Sequence, residues 1–172
     1  MNKLITILLF CCSTANAQHL KFMGLPVNCT FTDFFSEMLR RDYLPYSDDN
    51  YKDLCYTSFN GGCFHEQPYS ITFKVDENNN VEGIYLSVEF DNLTDAIAEY
   101  NEIVKGTEEK HSEYHRVTYT PDKSSFGEQL SFRPTGNPDE TLTVSYWNLE
   151  TSKPSVSINY QIHKQHNKSD DL

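Results

Sequence analysis

Residues 69–90 read YSITFKVDENNNVEGIYLSVEF, and this stretch decides the fold. Tyr69, Ile71, Phe73 and Val75 alternate with Ser70, Thr72 and Lys74. Beyond the turn-forming run Asp76 to Asn80, Ile84, Leu86, Val88 and Phe90 alternate with Tyr85, Ser87 and Glu89. Successive side chains of a strand point to opposite faces, so each segment has one apolar and one mostly polar face. Two such strands joined by a polar turn predict an antiparallel sheet buried on one side only.

Upstream, Leu54 to Phe59 is a third strand candidate, leading into a two-residue turn at Asn60-Gly61. Before it, Thr30 is a helix cap that Asp33 can reciprocate, and Phe31, Phe34, Phe35, Met38 and Leu39 fall on one helical face that ends near Arg41. Asp42 to Asp53 is a polar connector, and His19 to Leu25 a short extended segment stopped by Pro26. Downstream, a second helix starts near Asn92 to Thr94 and reaches His111, with Leu93, Ile97, Tyr100 and Val104 on one stripe and Ile103 alongside; Gly106 is expected to bend or fray it. Four more strands follow at Tyr114–Thr120, Gln129–Arg133, Thr141–Trp147 and Val156–Ile162. The order predicts an α+β fold: one mainly antiparallel sheet of about seven to eight strands, covered on one face by two helices. A helix followed by a meander occurs twice, which suggests two related halves, 18–91 and 92–163, joined edge to edge. Read linearly, the halves share little residue by residue, so the repeat rests on element order.

Residues 1–17 have the form of a secretory signal peptide: Lys3, an apolar run from Leu4 to Cys12, then Ala15-Asn16-Ala17 before Gln18. About nine apolar residues cannot span roughly 30 Å of hydrocarbon, and no later segment comes closer, so no membrane insertion is expected. Phe10 or Cys11 stands where a small residue precedes a lipid-bearing cysteine, which favours cleavage after Ala17 over lipidation. The expected product is exported, periplasmic or extracellular: a single domain over 18–163 with a polar, disordered tail over 164–172. The whole chain carries 14 basic and 25 acidic residues, a net charge of −11, which disfavours nucleic acid as a partner.

Three cysteines follow the leader: Cys29, Cys55 and Cys63. With a tight turn at Asn60-Gly61, Ser58 would face Cys63 and Cys55 would face Glu66. That offset, at about 3.3 Å per residue, exceeds the ~7 Å reach of a disulfide, and only a longer, bulged turn would permit the bond. His111 and His115 have the i, i+4 spacing of zinc ligands but lack the adjacent glutamate of the protease motif, and the helix is expected to end between them. Cys63-Phe64-His65 sets a thiol near a base without an orienting third group. Asp48 to Asp53 and Asp76 to Asn80 lack the spacing of a calcium loop and read as turns. No catalytic set, cofactor or metal site is expected.

The leader, Gln18-His19-Leu20-Lys21-Phe22-Met23-Gly24-Leu25-Pro26, Thr30 before an amphipathic helix, Phe59-Asn60-Gly61 and Tyr100 together resemble a group of small secreted proteins from gut Bacteroidetes-type bacteria. The resemblance spans nearly the whole chain after the leader and implies no activity, since none is established for the group. Cys29 stands where those proteins tend to have Gly. The layout is also similar to that of secreted β-lactamase inhibitor proteins, whose tandem helix-and-sheet halves bind a partner on the concave sheet. By alternation, Tyr85, Ser87, Thr143, Ser145 and Trp147 fall on the face opposite the helices, with Asn159 and Gln161. The expectation is a non-enzymatic binding module for another exported or envelope protein. The alternatives are a hydrolase using scattered carboxylates or His111, and a structural envelope protein.

Overall fold

The computed structural model describes residues 19–45, 56–117, 127–148 and 152–163. The leader, Cys55, the acidic run 48–53 and the tail from 164 lie outside the described residues. The elements are β1 (Lys21–Phe22), β2 (Leu25–Pro26), α1 (Phe31–Arg40), β3 (Leu44–Pro45), β4 (Tyr56–Asn60), β5 (Ser70–Val75), β6 (Val81–Glu89), α2 (Leu93–Lys110), β7 (Tyr114–Val117), β8 (Gly127–Pro134), β9 (Glu140–Trp147) and β10 (Ser155–Ile162). Strands β3 to β10 form one eight-stranded antiparallel sheet in the order β3-β4-β5-β6-β10-β9-β8-β7. Each half is a meander, and the two join through their last strands, β6 and β10.

The register exposes the repeat that the linear sequence hides. In the first half Ser58 pairs with Thr72 and Phe59 with Ile71, while Thr72 pairs with Tyr85 and Phe73 with Ile84. In the second, Ser131 pairs with Thr143 and Phe132 with Leu142, while Thr143 pairs with Asn159 and Val144 with Ile158. At the junction Tyr85 pairs with Asn159, Ile84 with Tyr160 and Leu86 with Ile158. A pseudo-two-fold axis therefore passes through the Tyr85/Asn159 pair and relates Ser-Phe, Ile-Thr-Phe and Ile-Tyr-Leu of one half to Ser-Phe, Leu-Thr-Val and Ile-Asn-Tyr of the other. Even the cross-strand hydroxyl pairs are repeated, Ser58 with Thr72 and Ser131 with Thr143, each at 2.9 Å.

The helices obey the same symmetry. Thr30 caps α1 by accepting from the Asp33 amide at 3.2 Å, and Asn92 caps α2 by accepting from the Asp95 amide at 3.0 Å. The fourth and eighth residues after each cap are buried, Phe34 and Met38 in α1 and Ala96 and Tyr100 in α2. Phe34 meets Phe73 of β5 at 4.8 Å between ring centroids, and Tyr100 meets Tyr146 of β9 at 5.2 Å. The register places Phe73 and Tyr146 on the same face of the sheet, so both helices cover one side.

Four expectations change. Leu39 is 45 % exposed and Phe31 and Phe35 only half-buried, so the α1 core face is narrower than its apolar stripe. On α2 the buried stripe is Ala96, Glu99, Tyr100, Ile103 and Thr107, while Leu93, Ile97 and Val104 lie at its border; the helix runs through Gly106 without interruption. The tight turn at Asn60-Gly61 does not form: Ser58 faces Thr72 instead of Cys63, because only that register sets Phe59 against Ile71 on the buried face. Gly62 instead lets the Tyr43 ring approach to 2.4 Å of where a Cβ would stand. Finally, residues 19–26 are a hairpin and not one extended segment. Met23 and Gly24 both take positive φ, 51° and 91°, as a two-residue hairpin loop demands, and glycine supplies the second without strain.

That hairpin belongs to the core. Phe22 contacts Phe34 at 5.9 Å, Phe64 at 5.5 Å and Tyr160 at 5.4 Å. Glu140, only 2 % exposed, holds it down, accepting from the Leu20 amide at 2.5 Å and meeting His19 Nδ1 at 2.5 Å.

The graded burial on α1 fixes an expected order of urea-unfolding losses. Phe34→Ala should cost about 3–5 kcal/mol as a fully buried aromatic truncation. Phe35→Ala should cost clearly less, and Leu39→Ala should stay within about 0.5 kcal/mol, as an exposed site does. Equal losses at all three would show that the helix presents a different face.

Candidate functional site

Two surfaces bracket the middle of the sheet. On the outer face, Tyr85, Ser87, Thr143, Ser145 and Trp147 all point away from the helices, as their register with buried neighbours requires. Two rows cross the sheet there. One runs Ser58, Thr72, Tyr85, Asn159, Thr143, Ser131 and the other Ser70, Ser87, Ser157, Ser145, Gln129. Neither row contains a charge. The Tyr85 ring lies along its strand over Gly83, whose absent Cβ would fall 3.1–3.4 Å from it, and the Tyr85 hydroxyl accepts from Gln161 Nε2 at 3.3 Å. Trp147 folds back likewise, donating from Nε1 to Ser145 Oγ at 3.1 Å. Both rings are half-exposed and held flat. Ser145 itself is 2 % exposed, so it positions Trp147 and presents little surface of its own.

On the helix side, a cavity of about 510 Å³ opens between α2 and the β1–β2 hairpin. Its floor is Leu142, Ile158 and Tyr160 at the centre of the sheet, and Ile103, Gly106 and Thr107 form the α2 wall. Met23, Gly24 and Phe64 close the hairpin side, and Lys21, His65, Lys110 and His111 supply the basic groups of the lining. Nothing in the linear sequence announces this cavity, because its lining comes from five separate segments.

Beside it stands a buried carboxylate. Glu99, 7 % exposed on the α2 stripe, accepts from the Tyr69 hydroxyl at 3.0 Å and faces His65 Nδ1 at 3.2 Å, both through Oε1. His65 reaches it from a turn in which His65 and Glu66 both have positive φ. The sequence signal was a glutamate among the apolar positions of an amphipathic helix. His65, Glu99 and Glu102 bring ligand atoms within 4.8 Å of one another, a donor set suited to a divalent ion. Both protein partners of Glu99 engage the same oxygen, Oε1.

The other candidates stay apart. His111 is the C-cap of α2 and stacks on Tyr114 at 4.6 Å, whereas His115 lies in β7, so the pair shares no helical face. Cys29 is half-buried, and burial, with the nearby Asp33 charge, pushes its thiol up, away from nucleophilic character. Cys63 is exposed, and the neighbouring imidazole of His65 is engaged by Glu99. Asp76 closes its own turn, its Oδ1 accepting from the amides of Asn78 and Asn80 at 2.9 Å each.

Tyrosines dominate the pH behaviour of this interior. Burial, reinforced by Glu128, pushes Tyr100 up to about 12; burial, with Glu113 and Glu140, does the same for Tyr114; and burial raises Tyr160 further. An unfolded tyrosine ionises near 10.0, so the fold keeps this stability below pH 10 and loses it as pH climbs toward 12. The urea midpoint should therefore fall between pH 10 and pH 12, with tyrosinate absorbance appearing together with unfolding. Tyr160→Phe should make that fall shallower; an unchanged alkaline slope would count against the burial of its hydroxyl.

Compared with protein-family models, with curated proteins and with solved structures, the chain gives no match.

Proposed function

We propose that this chain is an exported binding module that takes a partner protein on the outer face of its sheet. The observation that carries the proposal is the pair of uncharged rows that contains Tyr85 and adjoins Trp147, in a chain with 14 basic and 25 acidic residues. Interface cores are depleted of charge and enriched in aromatic residues. Tyr and Trp supply rigid amphipathic area at little entropic cost while Ser, Thr and Asn adapt their hydrogen bonds, the composition found in antibody combining sites. Here both rings are fixed before any partner arrives, which reduces the ordering cost of binding. The whole outer face, six strands at about 4.8 Å spacing and about 25 Å of length, offers roughly 700 Å², close to the ~800 Å² per partner of a standard interface, with the uncharged rows at its middle between rows that hold Lys74 and Glu89. Among the described residues no helix is long and apolar enough to cross a membrane.

The test compares capture of envelope proteins by wild-type protein, Tyr85→Ala, Trp147→Ala and, as a control on the helix side, Leu39→Ala. Anchors of this kind lose more than about 2 kcal/mol on truncation, roughly thirtyfold in affinity. The two face variants should lose the partner while keeping wild-type unfolding midpoints, and the control should retain it. Partner binding that survives in both folded face variants would refute the proposal.

A further inference from the structure

We propose that the helix-side cavity is a second binding site, independent of the sheet face, for a small amphipathic anion, of which an aliphatic carboxylate is the simplest member. Its volume of about 510 Å³ lies within the range of about 300–1,000 Å³ typical of small-molecule sites. The floor of Leu142, Ile158 and Tyr160 is apolar and suits a hydrocarbon body. In a protein of net charge −11, the lining holds two lysines and two histidines and no carboxylate. Three acids lie close to these groups without lining the cavity: Glu99 engages His65 Nδ1 at 3.2 Å, Glu102 brings a carboxylate oxygen within 4.8 Å of that pair, and Glu113 lies 3.3 Å from His111 Nδ1. Lys110 has no ion-pair partner among the described residues, which leaves its charge for a ligand.

Gly106 is the second, independent observation. Glycine inside a helix costs about 1 kcal/mol against alanine. Its φ is ordinary for a helix, and a Cβ added there would meet nothing within 4 Å. Neither backbone geometry nor packing calls for glycine at this position; what it does is keep the cavity wall clear.

The test is calorimetric titration of the purified chain with decanoate, decanol and decyltrimethylammonium, which share a body and differ in head group. Decanoate should bind saturably with one site, and the neutral and cationic probes at least tenfold more weakly. Gly106→Leu, which fills the cavity from a position with room for it, should abolish decanoate binding without lowering the melting temperature. Lys110→Glu, at an exposed position, should weaken binding tenfold or more. Tyr85→Ala should leave decanoate binding unchanged, so that loss of this site and loss of the sheet-face interface are separable. Equal binding of decanol and decanoate, or full decanoate binding by folded Gly106→Leu, would overturn the proposal.

Discussion

Everything in this molecule depends on the pairing of β6 with β10. Each meander alone is a small sheet with one open edge and half a core. Pairing Tyr85 with Asn159 and Leu86 with Ile158 merges them into one surface, on which Ile71, Leu86, Ile158 and Val144 form an unbroken buried row. A slip of one residue at this seam would turn every apolar side chain of one half toward water, since side-chain direction alternates along a strand. The seam therefore fixes both faces at once. It aligns the uncharged rows outside and sets the cavity floor, Ile158 and Tyr160, inside.

The duplicated frame is filled unequally. Around α1, rings of Phe31, Phe34, Phe35, Phe59 and Phe73 stack against one another at centroid separations of 4.8–5.6 Å. The corresponding helix of the second half offers Ala96, Gly106 and Thr107 along its inner side. Rings fill the space beneath α1, whereas the space beneath α2 is filled only in part. The β1–β2 hairpin, which has no counterpart in the second half among the described residues, lies across the middle and occupies part of the difference through Phe22. What it leaves is the cavity. The two halves share one frame, and the smaller inward side chains of the second leave a space within it.

Local features of the fold were legible in the sequence. Strict alternation in 69–75 and 84–90 fixed the faces of β5 and β6, and Thr30 with Asp33 and the run Asn92 to Thr94 marked the helix starts, because these signals depend on neighbours only a few residues away. Register was not legible. Asn60-Gly61 is a strong local turn signal, and it lost to the burial of Phe59 against Ile71, a contact across the connecting loop. The alternation placed Tyr85 and Trp147 on the outer face, but their flat postures depend on Gly83, Gln161 and Ser145. The partners of the buried acids Glu99 and Glu140 were not legible for a related reason, even though Glu99 stands among the apolar positions of its helix. A carboxylate is tolerated in the interior only where donors from elsewhere converge, here Tyr69 with His65 and the Leu20 amide with His19.

The position of β10 has a consequence for synthesis. It is the last described strand in the chain, yet it occupies the interior of the sheet, between β6 and β9. Until residues 155–162 have been made, β6 presents an open edge nine residues long, on which alternate residues have unpaired amides and carbonyls, with Leu86 and Val88 beside it, a template to which any passing strand could add. The nascent chain thus carries its most adhesive edge at its centre. The edges that persist after folding are blunt by comparison: β3 is two residues long and ends in Pro45, and β7 bears His115 and Arg116.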